Sequence, residues 1–409
     1  MRFFLKSFFL FFLFSCRSQV AHQGVKINQN EVESIVKDTS KSELILGATR
    51  ISAYLPLLKG KKIGVVANQT SVIHGRHLVD TLLALGIEVS AVFSPEHGFR
   101  GDADAGEKVE SGKDMKTGLP LISLYGKNKK PSAEQLKGME VILFDIQDVG
   151  VRFYTYISTL HYVMEAAAES NLSVIVLDRP NPNGHYVDGP VLKKGFESFV
   201  GMHPIPIVHG MTIGEYAQMI NGEKWLVNQV ECDLTVIPSL NYSRYEHYSL
   251  PIPPSPNLRS DAAIALYPSL CLFEGTTLSE GRGTSTPFEV FGHPNLPTDQ
   301  YPFSFTPVSS HGAKHPKFQN ELCYGLNLHE IGVNRLHELN ISWIMQAYYD
   351  LPDQSFFIIK NRWFDLLAGS DELRKSIVAG KSKKEIRASW QEDIAAFKLI
   401  RRNYLIYEE

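Results

Sequence analysis

Val89-Ser90-Ala91-Val92-Phe93-Ser94-Pro95-Glu96-His97-Gly98 is a short apolar run that breaks into a turn carrying a carboxylate and an imidazole. A run this apolar, with almost no polar alternation, suits a strand covered on both faces, which places it inside a parallel sheet. Pro95 cannot donate to a central ladder and Gly98 frees the backbone, so the strand ends there and Glu96 is displayed on a loop. Open α/β sheets keep their chemistry at that end of their strands. Taken alone, the tetrad is equally an ordinary strand-end turn with a capping Glu.

Working outward, strand-like runs alternate with helical stretches: Ile63 to Ala67, His77 to Leu85, Val89 to Phe93, Glu134 to Gly138 and Val141 to Phe144. A long helix over Tyr154 to Ser170 and a strand over Val174 to Leu177 continue the series. A further set is expected as Ile205 to Val208, Ile213 to Asn221 and Leu234 to Ile237. This βαβα order predicts an α/β fold, a Rossmann-like parallel sheet. No G-x-G-x-x-G follows the first strand, which runs into Asn68-Gln69-Thr70-Ser71, and neither a P-loop nor a G-x-S-x-G elbow occurs. Nucleotide binding and serine-hydrolase chemistry therefore lose their main support, and no cofactor is expected.

Pro251-Ile252-Pro253-Pro254-Ser255-Pro256-Asn257 can propagate neither helix nor central strand and reads as a boundary. Beyond it the alternation is lost. Mixed elements follow, including helices over Val333 to Leu351 and an amphipathic stretch from Lys384 to Ile406. The expected plan is a Rossmann-like catalytic domain at 44–250 and a smaller α+β domain at 251–409 that completes a cleft.

The chain has 409 residues, 44% of them hydrophobic, and a formal net charge of -3, too near neutral to suggest a nucleic-acid partner. Arg2 and Lys6 flank an apolar stretch, Phe8 to Phe14, too short to span a bilayer. It ends in Leu13-Phe14-Ser15-Cys16, which resembles a bacterial lipobox. Residues 1–16 are thus expected to be a lipoprotein signal with Cys16 lipidated, and 17–43 a polar tether. The expected location is the periplasm, anchored to the outer membrane through Cys16 alone, since no acidic residue follows that cysteine closely. Cys232, Cys271 and Cys323 are widely spaced among apolar neighbours and read as buried and chemically idle.

Five segments set polar groups at strand ends or in glycine-rich loops. They are Glu96-His97, Asp145 to Arg152, Asp178 to Gly184, Phe273 to Thr277, and Ser279 to Thr284. In a doubly wound sheet the first three converge without being near in sequence. Each also has a purely structural reading: Asp145 and Asp148 as helix caps, Asp178 in an Asx turn, Glu274 with Arg282 as an internal ion pair. His161 lies mid-helix and far from His97, so no metal is expected. Several carboxylates with arginines and aromatics suit glycoside hydrolysis, which needs one carboxyl as general acid and a second group across the sugar. Phe153, Tyr154 and Tyr156 offer stacking surface.

These residues resemble the exo-β-N-acetylmuramidases, glycoside hydrolase family 171, formerly a domain of unknown function. The likeness covers about Leu44 to Glu409. It rests on Gly64 to Thr70, Ser94 to Gly98, Asp145 to Tyr156, Asp178 to Pro182, Pro254 to Leu258 and Glu274 to Thr284; Thr277 and Leu258 depart from the expected Asn and Met. The resemblance implies removal of terminal N-acetylmuramic acid from the non-reducing end of peptidoglycan fragments, with Glu96 matching the family's proposed catalytic Glu. Asp145, Asp148 and Glu274 are candidates for its partner, and Asn68, His97, Asp148, Arg152, Tyr154, Asp178, Glu280 and Arg282 for holding the sugar. Arg152 and Arg282 are the expected forks for the lactyl carboxylate that distinguishes this sugar. A 2-acetamido sugar also permits its own acetamido oxygen to attack. The alternatives are a non-catalytic muropeptide-binding lipoprotein and a metal-dependent hydrolase.

Overall fold

The computed structural model describes residues 43–99, 111–351, 356–358 and 360–409. Cys16, the signal segment and nearly all of the tether lie outside them. In chain order the first half contains α1 (Ile51–Leu58), β1 (Lys62–Ala67), α2 (Leu78–Ala84), β2 (Glu88–Ser94), β3 (Gly112–Lys113), β4 (Pro120–Ser123), α3 (Ala133–Leu136), β5 (Val141–Asp145), α4 (Tyr156–Glu169), β6 (Ser173–Leu177), α5 (Ile213–Gly222) and β7 (Asp233–Ile237).

These seven strands form one sheet in the order β3-β4-β2-β1-β5-β6-β7, parallel throughout except for β3 against β4. Leaving out β3, the order is that of a Rossmann fold, with the reversal of winding between β1 and β5. The continuous apolar runs work because successive residues serve opposite cores. Val141 and Leu143 join α1 and α2 on one face, whereas Ile142 and Phe144 join α4 and α5 on the other.

The second half contains α6 (Asp261–Leu270), a three-stranded antiparallel sheet of β8 (Val290–His293), β9 (Phe303–Phe305) and β10 (Cys323–Asn327) in the order β8-β10-β9, and then α7 (Ser342–Asp350), α8 (Trp363–Ala368), α9 (Glu372–Val378) and α10 (Gln391–Arg401). Its helices pack on the α4 side of the large sheet, so one apolar core runs through both halves. The architecture is α/β with a second α+β unit.

Three expected elements differ. Ile205 to Val208 is not a strand: it is a buried irregular run in which Val208 bridges Val151 and Asp188. The helix expected from Val333 begins only at Ser342, because residues 334–341 form a turn region that leads into α7. The stretch Lys384 to Ile406 is two helices, broken where Trp390 leaves helical geometry to place its indole N–H 3.1 Å from Asp188 Oδ1. β4 carries no clear sequence signal, since Pro120 opens a strand of only four residues.

Candidate active site

β2 ends at Ser94, and the backbone turns at once, with the Gly98 N–H donating to the Pro95 carbonyl at 3.1 Å. His97 and Gly98 both take left-handed backbone, φ 69° and 78°. For a histidine this is a region of roughly 1–3 kcal/mol strain, of the kind that concentrates at functional sites. The turn delivers Glu96 into a cleft of about 940 Å³ between the two halves of the molecule.

The neighbouring strand end completes that corner. Thr155 is the N-cap residue of α4, yet its hydroxyl makes no capping bond. It donates instead to Glu96 Oε2 at 2.9 Å, setting the positive end of a 14-residue helix beside the carboxylate. Tyr125, just past β4, is engaged by Glu96 as well; burial, and then the Glu96 charge, push its phenol well above the usual range.

Aromatic side chains form the floor. Tyr154 and Tyr156 meet edge to face at 4.7 Å, and both hydroxyls donate to the Pro254 carbonyl, at 2.9 and 3.2 Å. The proline-rich segment is therefore bolted to the first half of the chain, with the Gln69 amide 3.1 Å from the same carbonyl. Tyr154 continues to Tyr267 at 5.8 Å, and Tyr267 to Phe288 at 5.1 Å.

Across the cleft the Arg282 guanidinium lies 4.9 Å over the Phe288 ring. It donates to Glu274 Oε1 at 2.7 Å and pairs with Glu280 at 3.2 Å. Glu280 is buried beneath. Although burial pushes it up, Lys317 and Arg282 hold it below its ordinary value. Lys317 also donates to the carbonyls of Phe273, Thr276 and Leu278, which fixes the loop that presents Glu274.

Of the residues selected from sequence, Glu96, His97, Phe153, Tyr154, Tyr156, Glu274 and Arg282 line this cleft. The others do not. Asp145 is fully buried in a two-pronged ion pair with Arg179, at 2.6 and 2.9 Å. Asp178 accepts from Thr212 Oγ1, the Gly214 N–H and the Tyr407 hydroxyl, and burial pushes it up to about 6. Asn68 supports the floor from below, its amide 3.0 Å from the Tyr156 hydroxyl. Asp148 accepts from the Gly150 N–H at 2.6 Å, and burial raises it to about 7 against that bond.

Arg152 requires the firmest correction. It is wholly buried, donating to the carbonyls of Pro190, Ile205 and Leu367 at 2.8 Å each, and burial lowers it to about 9. It ties α8 to the first half and cannot reach a substrate. Cys232, Cys271 and Cys323 are buried free thiols, as their neighbours imply. His161 bonds His203 at 2.9 Å, and among the described residues no three His, Cys, Asp or Glu side chains are grouped to hold a metal ion.

Sequence reasoning missed Tyr125, Lys129, Phe199 and Trp363, all in the cleft wall. The first two follow β4, and an unrecognised strand hides the loop after it. A signal was present in Gly126, whose φ of 77° marks a turn next to an aromatic residue.

The profile for the N-terminal region of the exo-beta-N-acetylmuramidase NamZ matches residues 63–262, and that for its C-terminal region matches 265–407. The chain belongs to this family. It is 40% identical over 382 residues to the peptidoglycan beta-N-acetylmuramidase NamZ of Bacillus subtilis strain 168, covering 88% of this chain and 90% of that protein. Two crystal structures of DUF1343-family proteins from Bacteroides fragilis NCTC 9343 share the fold. One has 47% identity and a TM-score of 0.81, the other 31% and 0.77; each match covers 90% of this chain and the whole of the other. The NamZ-family cleft thus holds two carboxylates, one met by hydroxyl groups and one by a guanidinium, above an aromatic floor. That is the equipment of a glycosidase.

Proposed function

We propose that this protein is an exo-acting glycoside hydrolase that releases terminal N-acetylmuramic acid from the non-reducing end of peptidoglycan fragments. The observation that carries the reading is Glu96, set on a strained strand-end turn at the mouth of the cleft and held by Thr155 at the start of α4. Glu96 acts as general acid/base, giving its proton to the leaving oxygen as the glycosidic bond breaks and drawing one from water in the second half of the reaction.

Glu274 is the second carboxylate of the cleft. Its bond to Arg282 fixes it in an orienting role toward the developing oxocarbenium centre or the substrate's acetamido group. Tyr154 contributes to the surface beneath the sugar ring, with Tyr156 packed edge to face against it as support. The same reading places the protein in the periplasm, tethered to a bacterial outer membrane through lipidated Cys16, and working in cell-wall recycling.

The deciding experiment measures free N-acetylmuramic acid released from a muramyl-terminated disaccharide, wild type beside Glu96→Gln, with EDTA present throughout. Release by wild type with a loss of roughly 10²–10⁴-fold in the variant is the expected result. Binding without release by wild type would assign the cleft to a non-catalytic muropeptide-binding protein. Release abolished by EDTA would assign it to a metal-dependent hydrolase.

A further inference from the structure

With Arg152 sealed beneath the cleft and Arg282 engaged by Glu274 and Glu280, a negatively charged sugar needs another cation to receive its charge. Lys129 and Lys314 both line the same cleft, and of the two it is Lys129 that sets its ammonium over an aromatic ring of the wall, 4.4 Å from the centroid of Phe199. Among the described residues it makes no ion pair or hydrogen bond. Its surroundings are held in place. Lys130, next in sequence, bonds Glu165 and Glu169 of α4 at 2.7 Å each, pinning the loop. The Phe199 carbonyl accepts from Ser158 Oγ at 2.8 Å, and its ring lies nearly parallel to Tyr162 and 6.3 Å from Tyr125. Tyr125 in turn meets Glu96, so acid, aromatic surface and cation follow one another along a single wall.

An ammonium resting on an aromatic face gains only about 0.5–1 kcal/mol at an exposed site and keeps its donors for a stronger acceptor. A carboxylate is such an acceptor. We propose that Lys129 is the specificity-determining residue that receives the carboxylate of the sugar's 3-O-lactyl substituent, with Phe199 as the surface beneath it. The inference rests on the reading of N-acetylmuramic acid as the terminal sugar.

The test compares kcat/KM for three muramyl-terminated disaccharides: one with a free lactyl carboxylate, one with the lactyl amide, and one whose lactyl group carries a dipeptide with its own carboxylates. Wild type is expected to favour the free carboxylate over the amide by roughly 10–100-fold, the range of a hydrogen bond to a charged group. Lys129→Met should bring that ratio to near one, and Lys129→Arg should keep most of it. A ratio unchanged by Lys129→Met, no preference in wild type, or a Lys129-dependent preference confined to the dipeptide substrate would each overturn the assignment. Calorimetry of N-acetylmuramic acid against N-acetylglucosamine, on Glu96→Gln with and without Lys129→Met, reads the same preference without turnover. Wild type that releases no sugar from any substrate defeats the glycosidase reading, while the calorimetric difference still decides Lys129.

Discussion

Two polar regions lie at the carboxyl ends of the same sheet and have opposite fates. At the reversal between β1 and β5, where Rossmann folds open a crevice for a ligand, this protein packs its own groups: Asp145 on Arg179, Asn68 on Tyr156 and Thr70, Ser71 on the Asp145 carbonyl. One strand further out, after β2, the turn at Glu96 stays open to a cleft shared with the second half of the molecule. Charged residues at strand ends are thus no guide to function by themselves. What separates the regions is whether the strand-end groups are buried within the sheet's own layer or face the cleft.

The contrast is broken most sharply by removing one carboxylate from each region. Glu96→Gln should lose roughly 10²–10⁴-fold in kcat with an unchanged melting temperature. Asp145→Asn should do the reverse, leaving kcat of the folded protein near wild type while stability drops by about 3–5 kcal/mol, because Arg179 is left buried and unpaired. Parallel turnover assays and urea titrations measure both. A folded Asp145→Asn enzyme with lost activity would return Asp145 to the catalytic set.

Asp148 sharpens the comparison through pH. Its folded carboxyl is raised to about 7, whereas in the unfolded chain it titrates near 3.8. Between those values the folded state holds a proton that the unfolded state has released, so its contribution to stability falls as pH rises from about 4 to 7 and is flat above. Asp178, raised to about 6, acts in the same direction. Asp148→Asn keeps an acceptor for the Gly150 N–H and removes the titration. Relative to wild type it should gain stability progressively across that window, by at most about 4 kcal/mol. Denaturant midpoints at pH 4.5 and 7.5 check the sign, and a difference independent of pH would refute it.

Tyr125→Phe gives the smallest effect. Loss of one hydroxyl beside Glu96 should lower kcat by roughly 3–10-fold and displace the pH–rate profile, since the phenol and carboxylate interact. An unaltered profile would make Tyr125 a wall residue only.

The sheet was legible because its central strands are continuous apolar runs bounded by turn residues, as at Val141 to Phe144. β4 and the irregular run at Ile205 were not. One is too short to show a period, and the other is apolar because it is buried rather than because it is extended. In the site, Glu96 announced itself through the proline and glycine around it. Arg152 misled because one sequence cannot tell a guanidinium aimed at a ligand from one aimed at three backbone carbonyls 38 to 215 residues away. Lys129 has the converse problem, since its value lies in a ring 70 residues on.

The last turn of the chain returns to the first half. Tyr407 donates to Asp178 through its hydroxyl, the Ile406 N–H meets Glu215 at 3.0 Å, and Arg244 bonds the Tyr407 carbonyl at 2.8 Å. Asp178 and Glu215 are fully buried in the folded chain, and part of their pairing, from Tyr407 and the Ile406 N–H, comes from residues far along the sequence. A ribosome makes β6 and α5 long before it makes Tyr407. The first half of the molecule therefore completes these buried pairings only after residue 407 has been made.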